Sequence, residues 1–561
     1  MKAYETVLRL TDDAIPHILY ARQDDPNRFD YRGQISHEKG FAEPSHSGTA
    51  AATLLSAYFC ADSRWHGDAS ILDAAISALS FLIESLHEDG SFDLVETNFH
   101  DCTSNGFSVR VLAYTYRLLE RFAKSEKELE AKALVRDFLQ KSARAMMTGG
   151  FHTPNHRWVV ASALSLCYNI LGDDCGEQCL ETAKAYLSEG IDCDDEGEYT
   201  EHSVGIYDAV NNESLMILAQ ELGMTELYGA VDRNLEKNWY YTEPDLTGLT
   251  LASRRQDHGK EPQMVHHFHA YYRAAERTGS GRFAWMANRL LERLEHLRVN
   301  IGPPREIGAS LYHQNLLTRF ILEPAVELPA EEPMPLHYTR YFERLGVVRH
   351  RSGEWTCSLL RENSAFMKLQ NGSLKVYVKL ACTFFQHGRL LAQQIIPIDN
   401  GYRLVYEREW GYLRPLPGIN EPDWWKIDHK SRENANMQKH CWQVDVVFRE
   451  SGLTMRVRTE GTPRVPVKLE CALTPGGLIK TFEPLGTGHM TLPAMPEGWV
   501  IAGENVAYDL DGNIFCLSGG FNEHHYAPIM RNSDPPPRDR FCLYCTGFTP
   551  MDRTLEIDFK C

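Results

Sequence analysis

Several signatures of common enzyme classes are missing from this 561-residue sequence. It contains no Walker loop, no glycine fingerprint that opens a βαβ unit, no HExxH motif and no nucleophile elbow. Their absence argues against P-loop NTPases, dinucleotide-dependent dehydrogenases, zincin-type proteases and α/β-hydrolases. No apolar run is long enough to cross a bilayer, so a membrane is not an expected partner.

The chain also has fewer positively charged residues than negatively charged ones. The chain has 58 Lys and Arg residues against 76 Asp and Glu residues, which gives a formal net charge of −18. A general nucleic-acid binder needs a basic face, so nucleic acid is not an expected partner either. An acidic protein can still hold an anionic ligand where a few Arg and His side chains line a cleft.

A secretion leader is not visible in the sequence. The first residues, Met1–Thr6, show no charged segment followed by an apolar one. We therefore expect a cytoplasmic, bacterial-type protein, or a secreted or periplasmic one if a leader preceded Met1. The sequence indicates no oligomeric state.

The first 330 residues carry apolar positions at helical spacing. A short signal recurs between the helical segments: a small or acidic residue, one or two glycines, and then an aromatic residue. It occurs at Asp89–Phe92, Thr148–Phe151 and Glu196–Tyr199, at intervals of 59 (148 − 89) and 48 (196 − 148) residues. Repeats of this size indicate stacked helical hairpins, either an open solenoid or a closed (α/α) toroid, with the polar loops on one rim.

The pattern changes after a Pro-rich stretch at Leu328–Pro335. Short alternating segments separated by Gly, Asn, Asp and Pro then continue to Leu555–Phe559, as in antiparallel sheets. We therefore predict a multidomain α+β protein. An (α/α) toroid catalytic domain spans residues 1–330, and an antiparallel β-sandwich domain spans residues 331–561.

The first candidate site lies where a polar run, Thr153–Trp158, interrupts this helical pattern. Asn155 and His156 stand at the predicted start of a helix, where the positive end of the helix dipole favours a neutral imidazole, the form a base requires. The alternative is structural, because a single Asn or His at a helix start often serves as a cap.

The second candidate site follows 51 residues (207 − 156) later. Glu201 and His202 precede Tyr207, and an apolar helical run begins directly after it. Tyr207 could transfer a proton, or it could be an aromatic anchor of the helical wall. Tyr199 belongs to the repeated glycine-aromatic signal, so we assign it to the core.

Two further polar runs are expected on the same rim. Asn98 and His100 precede a helix and offer amide and imidazole donors, although they could simply cap it. Arg254 and Arg255 lie in a predicted loop, where adjacent arginines are either solvated charge or a bidentate clamp for a carboxylate or sulfate.

The β region offers fewer candidates. His387 stands at the end of an apolar strand and could reach a substrate. It could instead bind a structural divalent metal together with Glu407 and His440, because the three fall on neighbouring predicted strands. We expect the chemistry itself to need no cofactor.

This arrangement resembles the heparinase II/III-like polysaccharide lyases and the related alginate and chondroitin lyases. Asn155–His156 followed by Tyr207 is similar to the family's Asn/His and Tyr pattern. The other stretches that carry the resemblance are Asn98–His100, Glu198–His202, Ser253–Arg255, Gly346–Arg349, Gly353–Trp355 and Gln386–Gly388. The sequence departs from the family in lacking a second His soon after His387–Gly388.

The resemblance implies β-elimination at a uronic acid of an anionic polysaccharide or oligosaccharide. Glycosaminoglycans such as hyaluronan, chondroitin sulfate and heparan sulfate are the expected substrates, and the products would be 4,5-unsaturated uronates. Asn155, with His156, would bind the carboxylate, Tyr207 or His156 would remove the C5 proton, and Tyr207 would protonate the leaving oxygen. A nearby cation from Arg254, Arg255 or His202 would favour the phenolate form of Tyr207.

Two other functions remain open at this point. A glycoside hydrolase on the same helical scaffold would need two carboxylates about 5–9.5 Å apart, and Asp101, Glu201 and Asp208 are available. A noncatalytic carbohydrate-binding protein would use exposed aromatic residues and would not need Asn155, His156 and Tyr207.

Overall fold

The computed structural model describes residues 2–21, 35–36, 41–42, 44–94, 97, 99–172, 174–296, 315–385, 387–482 and 489–560. The chain divides into two compact units. Unit 1 comprises Met1–Thr242 and Leu246–Met334, and unit 2 comprises Glu243–Asp245 and Pro335–Cys561. The main division falls at 334/335, whereas the sequence predicts a boundary at 330/331.

Unit 1 is helical. Its described residues form twelve α-helices: α1 Lys2–Ala21, α2 Pro44–Phe59, α3 Ala69–Glu84, α4 Cys102–Phe122, α5 Glu126–Thr148, α6 Pro154–Leu171, α7 Gly176–Ser188, α8 Tyr207–Leu222, α9 Tyr228–Tyr241, α10 Phe268–Thr278, α11 Gly281–His296 and α12 Leu316–Leu322. Two short hairpin pairs accompany them: β1 Ile35–Ser36 with β2 Phe41–Ala42, and β3 Phe92–Leu94 with β4 Phe99–Asp101. Among the residues described, no helix has the length and hydropathy of a membrane span.

Local sequence explains where several of these helices begin. Asp101 caps α4 by accepting a hydrogen bond from the Thr103 backbone N–H at 2.9 Å, and a capping box of Ser125 and Glu128 starts α5. Pro154 occupies the first turn of α6, where its missing N–H costs nothing. The starts of α4 and α6 therefore coincide with polar runs that the sequence indicates as candidate sites.

Consecutive helices pair as hairpins, α2 with α3, α4 with α5, α6 with α7, α8 with α9 and α10 with α11. The first helices of successive hairpins also contact one another, from α2 through α4, α6 and α8 to α10. Helix α1 contacts α2 at the beginning of the unit and α11 and α12 at its end. Contact between the first and last helices is what a closed ring of hairpins requires.

Two of the three repeated glycine-aromatic signals have the same local structure. Gly90 and Gly197 have φ values of +86° and +87°, and a Cβ on either would lie 2.2 Å from a helix carbonyl oxygen, so only glycine fits. The aromatic residues that follow, Phe92 and Tyr199, are buried. The third signal differs, because Phe151 is exposed rather than packed in the wall.

Unit 2 contains two large sheets. Its described strands are β5 His337–Phe342, β6 Val347–Ser352, β7 Trp355–Leu360, β8 Met367–Asn371, β9 Leu374–Cys382, β10 Gln394–Ile398, β11 Gly401–Leu413, β12 Asn434–Arg449, β13 Gly452–Gly461, β14 Pro466–Leu473, β15 Leu478–Phe482, β16 His489–Pro493, β17 Trp499–Ile501, β18 Asn505–Leu510, β19 Asn513–Ser518, β20 Phe541–Phe548 and β21 Met551–Asp558. One sheet has the order β10-β11-β12-β13-β21-β19-β18-β15-β16, and the other β17-β20-β14-β9-β8-β7-β6-β5. Described neighbours pair antiparallel, except that β17 runs parallel to β20.

The two sheets share one hydrophobic core. Trp355 and Leu369 enter it from the β5–β9 side, and Leu404 and Trp442 enter it from β11 and β12. Along β9, buried and partly exposed residues alternate as a pleated strand with one covered face requires. The predicted α+β class, with helices followed by antiparallel sheets, is confirmed.

A fully buried ion cluster lies within unit 2. The Glu243 carboxylate accepts hydrogen bonds from Arg349 Nη2 at 2.9 Å, Lys368 Nζ at 3.1 Å and Thr356 Oγ1 at 2.9 Å. Burial opposes ionisation of Glu243, but the Arg349 and Lys368 cations outweigh it and hold its pKa well below its usual range. Glu243 is therefore an ionised, fully neutralised partner of two buried cations.

Candidate active site

Asn155 lies in the first turn of α6 and is completely buried. Its Nδ2 donates to Glu201 Oε1 at 2.9 Å and to Thr153 Oγ1 at 3.3 Å. The residue at the N-cap position is Thr153, so Asn155 does not have the capping role considered as its structural alternative. Its amide instead links the start of α6 to the loop before α8.

Glu201 is the centre of this loop contact. Besides Asn155, its Oε1 lies 3.3 Å from Nε of Arg255, and its backbone oxygen accepts from the Arg254 N–H at 3.1 Å. Burial raises the pKa of the Glu201 carboxyl above its usual value, although Asn155 and Arg255 oppose the shift. Oε2 of Glu201 and Oδ1 of Asn155 are buried and have no hydrogen-bond partner among the residues that the structure describes.

Arg255 connects this carboxyl group to Tyr207. Its Nη2 donates to the Tyr207 phenol oxygen at 3.5 Å, and its guanidinium carbon lies 4.7 Å from the centre of the Tyr207 ring. The phenol itself donates to Gln256 Oε1 at 3.0 Å. A cation in this position stabilises negative charge on the phenol oxygen. The side chains of Asn155, Glu201, Arg255 and Tyr207 thus form one continuous row.

Asp257 holds the loops that carry this row. Its Oδ2 accepts from Ser203 Oγ at 2.9 Å and from the Gly205 N–H at 3.1 Å, and its Oδ1 accepts from Ser253 Oγ. The Tyr207 N–H donates in turn to Ser203 Oγ at 3.2 Å. One buried carboxylate therefore joins the arginine loop to the segment that ends at Tyr207.

A buried polar network stabilises the start of α8. Lys237 Nζ, which is fully buried, donates to Asp208 Oδ2 and to Glu198 Oε1, both at 2.9 Å, and Asn234 donates to Asp208 at 3.0 Å. Burial raises the pKa of Glu198 to about 8, against the effect of Lys237. Since Asp208 follows Tyr207 directly, this network fixes the backbone that presents the phenol.

His156 is neutral at neutral pH. Burial lowers its pKa to about 4, with a further contribution from His152, while Asp101 acts in the opposite direction. Its ring packs edge-on against Phe107 and His152. The sequence predicted the neutral form from the helix dipole, whereas burial is the main cause. Its Nδ1 is buried without a hydrogen-bond partner in the described part of the chain.

His202 cannot supply the cation that was considered for Tyr207. Burial lowers its pKa to about 4, and Arg254 lowers it further, so the ring is uncharged at neutral pH. The Arg254 side chain is exposed, and the hydrogen bond to the phenol oxygen comes from Arg255. Of the three candidates, Arg255 is therefore the one that meets Tyr207.

The predicted loop of Asn98 and His100 is only partly visible. Asn98 lies outside the described residues. His100, on β4, stacks on His87 with ring centres 3.8 Å apart and faces Asp93 and Asp89. Its contacts are thus with this second cluster rather than with the row ending at Tyr207.

The predicted metal set of His387, Glu407 and His440 is wrong, because the structure does not bring the three together. In the β11–β12 pair, Glu407 lies opposite Cys441, so His440 points to the other face of the sheet. Glu407 is exposed and forms an ion pair with Lys439, whereas His440 is buried against Phe384 and Trp442. His387 lies in unit 2, edge-on to Trp410, with ring centres 4.5 Å apart, and its role in substrate binding stays a prediction.

Comparison with solved structures identifies the fold. No protein-family model matches the chain, and no curated protein matches it. It is similar to heparinase III, with 12% identity and a TM-score of 0.56 over 99% of this chain and 84% of that chain. It is also similar to the Streptomyces coelicolor A3 chondroitin AC lyase in complex with chondroitin sulphate (12%, 0.54, 99% and 79%) and to Paenibacillus xanthan lyase (10%, 0.52, 100% and 57%). The protein has a polysaccharide lyase fold.

Sequence reasoning missed three residues that hold the site together in this lyase fold. Asp257 lies inside the polar run that contains Arg254 and Arg255, and its position between loop donors could have indicated a structural acceptor. Gln256, in the same run, binds the Tyr207 phenol. The sequence does not indicate the role of Lys237, because a lysine on a helix with polar neighbours is normally predicted to be exposed to solvent.

Proposed function

We propose that the protein is a polysaccharide lyase that cleaves uronic-acid-containing polysaccharides, above all glycosaminoglycans, by β-elimination to 4,5-unsaturated uronate products. The observation that carries the proposal is the row from Asn155 through Glu201 and Arg255 to Tyr207. The row combines the Tyr207 phenol, which lies beside the Arg255 cation, with the buried pair of Glu201 and Asn155. Proton abstraction next to a carboxylate needs a base and a group that stabilises the carboxylate as the proton leaves.

Tyr207 carries the proton transfers. As the phenolate, stabilised by Arg255, it removes the C5 proton of the uronate, and the electrons of the C5–H bond form the C4–C5 double bond while the C4–O bond breaks. The leaving oxygen then takes the proton from Tyr207, which restores the phenolate. One residue can serve both steps when C5–H and C4–O lie on the same side of the ring, as in glucuronate.

Glu201 meets the uronate carboxylate, and Asn155 positions Glu201. A buried carboxyl group with a raised pKa is protonated more readily than usual, and its O–H can donate to the substrate. Neutralising the carboxylate in this way stabilises the enolate that develops as the C5 proton leaves. Asn155 keeps Glu201 in place through its 2.9 Å hydrogen bond, and the exposed Arg254 is available for further anionic groups.

His156 is the base that would serve the opposite stereochemistry. In iduronate, C5–H and C4–O lie on opposite sides, so one residue cannot reach both. A neutral imidazole with a buried, unpartnered Nδ1 can accept a proton. Tyr207 would then act only as the acid, and the enzyme would accept both epimers.

The hydrolase alternative is less well supported by the carboxylates available to it. Asp101 uses both oxygens to bind Thr103 and Ser104 at the start of α4, and Asp208 is fully buried beneath Lys237. A hydrolase needs two carboxyl groups that flank a glycosidic bond. Of Asp101, Glu201 and Asp208, only Glu201 belongs to the row of side chains that ends at Tyr207.

An ultraviolet assay tests the proposal directly. The protein is incubated separately with hyaluronan, chondroitin sulfate, heparan sulfate and alginate, as polymers and as oligosaccharides. Elimination creates a conjugated double bond, so absorbance should rise with at least one glycosaminoglycan. New reducing ends without this absorbance would identify a hydrolase, and binding without either signal would identify a noncatalytic binding protein.

A further inference from the structure

Two histidines and an aspartate form a compact cluster beside the β3–β4 hairpin of unit 1. Nε2 of His87 lies 2.9 Å from Asp93 Oδ1, and Nε2 of His100 lies 3.9 Å from the same oxygen. The three candidate ligand atoms all lie within 4.8 Å of one another. Ligands of a tetrahedral zinc ion, with bonds of about 2.0 Å, are separated by roughly 3.3 Å. The distances of 2.9 and 3.9 Å lie on either side of this value.

The backbone fixes the members of this cluster before any ligand arrives. Asp93 and His100 are direct partners in the β3–β4 register, so their side chains leave the same face of the hairpin. His87 follows α3 in a tight turn, in which its N–H donates to the Ser91 oxygen at 2.8 Å and its oxygen accepts from the Gly90 N–H at 2.9 Å. The backbone therefore places the three side chains together, and the stacked rings of His87 and His100, whose planes differ by 18°, would rotate so that both nitrogens face one ion.

A further carboxylate lies near His100. Asp89 Oδ2 is 3.8 Å from Nδ1 of His100, whereas Asp93 Oδ1 is nearer to Nε2 of the same ring. Its other oxygen is held by the Ser91 N–H and Oγ, at 2.9 and 2.6 Å. A carboxylate on the second nitrogen orients a metal-binding histidine so that its first nitrogen faces the ion.

We infer that His87, Asp93 and His100 bind one divalent transition-metal ion, best matched by Zn²⁺, with Asp89 orienting His100. Imidazole ligands favour zinc over calcium or magnesium, which prefer oxygen alone. Three protein ligands leave a fourth position for water, since the His100 side chain is 57% exposed. This site is different from the one predicted around His387.

The ion would stabilise the segment that leads to the start of α4. Asp101 follows His100 directly, caps α4 and lies close enough to His156 to oppose the lowering of its pKa. A metal joining the α3 turn to both strands of the hairpin would thus hold the segment that leads to Asp101. The metal site itself is independent of whether the protein is a lyase.

Zinc binding by the full chain, made without a histidine tag, tests this inference. Metal-free protein is titrated with Zn²⁺ in competition with a chelating dye, and the bound metal is counted by elemental analysis. We expect one ion per chain, with X-ray absorption showing imidazole nitrogen and carboxylate oxygen at about 2.0–2.2 Å. His100→Ala should abolish stoichiometric binding, and Asp89→Asn should weaken it roughly tenfold to a hundredfold.

The matched control is His525→Ala, which removes an exposed histidine from unit 2 and should leave zinc binding unchanged. Circular dichroism of each variant shows whether the fold is retained. The inference is overturned if the metal-free protein binds no zinc, or if His100→Ala and Asp93→Asn bind it as tightly as the parent. Elimination activity is recorded separately, so failure of the metal site and failure of the proposed function remain distinct results.

Discussion

The guanidinium of Arg255 lies between two members of the candidate catalytic row, with Nε 3.3 Å from Glu201 and Nη2 3.5 Å from the phenol oxygen of Tyr207. One cation thus links a carboxyl group and a phenol that are six residues (207 − 201) apart in the sequence. Under the proposed mechanism it stabilises the base, and it also sets the distance between the base and the carboxylate site.

Tyr207→Phe should remove elimination while leaving the fold intact. The substitution deletes one hydroxyl, whose hydrogen bond to Gln256 is exposed, so the free energy of unfolding should change by less than about 1.5 kcal/mol. Loss of the group that both takes and gives the proton should lower kcat by roughly a hundredfold to ten-thousandfold. The measurement is the initial rate of ultraviolet absorbance increase. Tyr168→Phe, on α6, is the matched control, and equal rates in the two variants would contradict the mechanism.

Arg255→Met should lower the rate of elimination. The substitution removes the N–H that donates to the Tyr207 phenol oxygen at 3.5 Å and the positive charge that faces the Tyr207 ring, so negative charge that develops on this oxygen loses its stabilising partner. Activity at neutral pH should fall roughly tenfold to a hundredfold, mainly through kcat. Arg254→Met, which removes an exposed side chain, should raise KM without lowering kcat. An unchanged kcat in Arg255→Met would show that Arg255 does not support the base.

Asp257→Asn should weaken the connection between the two active-site loops. The amide keeps one acceptor oxygen but places an NH₂ group among the hydroxyl and N–H donors of Ser203, Gly205 and Ser253. We expect a stability loss of about 1–3 kcal/mol and a fall in kcat with little change in KM, because Asp257 positions Tyr207 without meeting substrate. Thermal unfolding and steady-state kinetics measure the two effects. A change in KM alone would indicate direct substrate contact instead.

His156→Gln should separate the two uronate epimers. If Tyr207 serves both steps on glucuronate, the variant should retain activity on glucuronate-linked oligosaccharides. Activity on iduronate-linked oligosaccharides should fall by at least about a hundredfold, since the base on the opposite side is lost. Rates on matched oligosaccharides of each type provide the test. Equal loss on both would mean that His156 acts in binding rather than as the base.

Glu243→Gln should destabilise unit 2 strongly. Arg349 and Lys368 would stay buried without their carboxylate, which costs about 3–5 kcal/mol. In the parent protein the depressed pKa of Glu243 has a pH consequence: the folded state stays ionised where the unfolded chain takes up a proton. Stability should therefore fall as the pH drops below the ordinary value of 4.5 and toward the folded pKa. Urea unfolding across this range checks both effects, with the exposed Glu354→Gln as the control.

The division into helices and sheets could be predicted because apolar spacing distinguishes the two periods over long stretches. The residues of the candidate site could be predicted for a related reason. Asn155, Glu201, Arg255 and Tyr207 all lie in polar runs at helix starts or in loops. The structure brings these four side chains together. Which arginine would contact Tyr207 could not be predicted, because adjacent loop residues point in different directions and no periodicity applies there.

Sheet register explains the failed metal prediction. Glu407 and His440 lie on paired strands, but a shift of one residue decides which face each side chain occupies. Short-range sequence patterns do not carry that information. The buried Lys237 illustrates the same difficulty, since its burial depends on Glu198 and Asp208, which lie on a different segment of the chain.

Glu243–Asp245 belongs to unit 2 although it lies between two stretches of unit 1, and this affects whether unit 2 can be produced as a separate fragment. These residues are separated from the rest of the unit by the 89 residues (334 − 245) of Leu246–Met334, which belong to unit 1. A gene fragment beginning at codon 335 would encode Arg349 and Lys368 without the carboxylate that neutralises them. Unit 2 produced from this fragment would therefore contain two buried cations without their carboxylate. Recombination that exchanged it between proteins of this fold would also have to transfer an acidic residue at the position of Glu243.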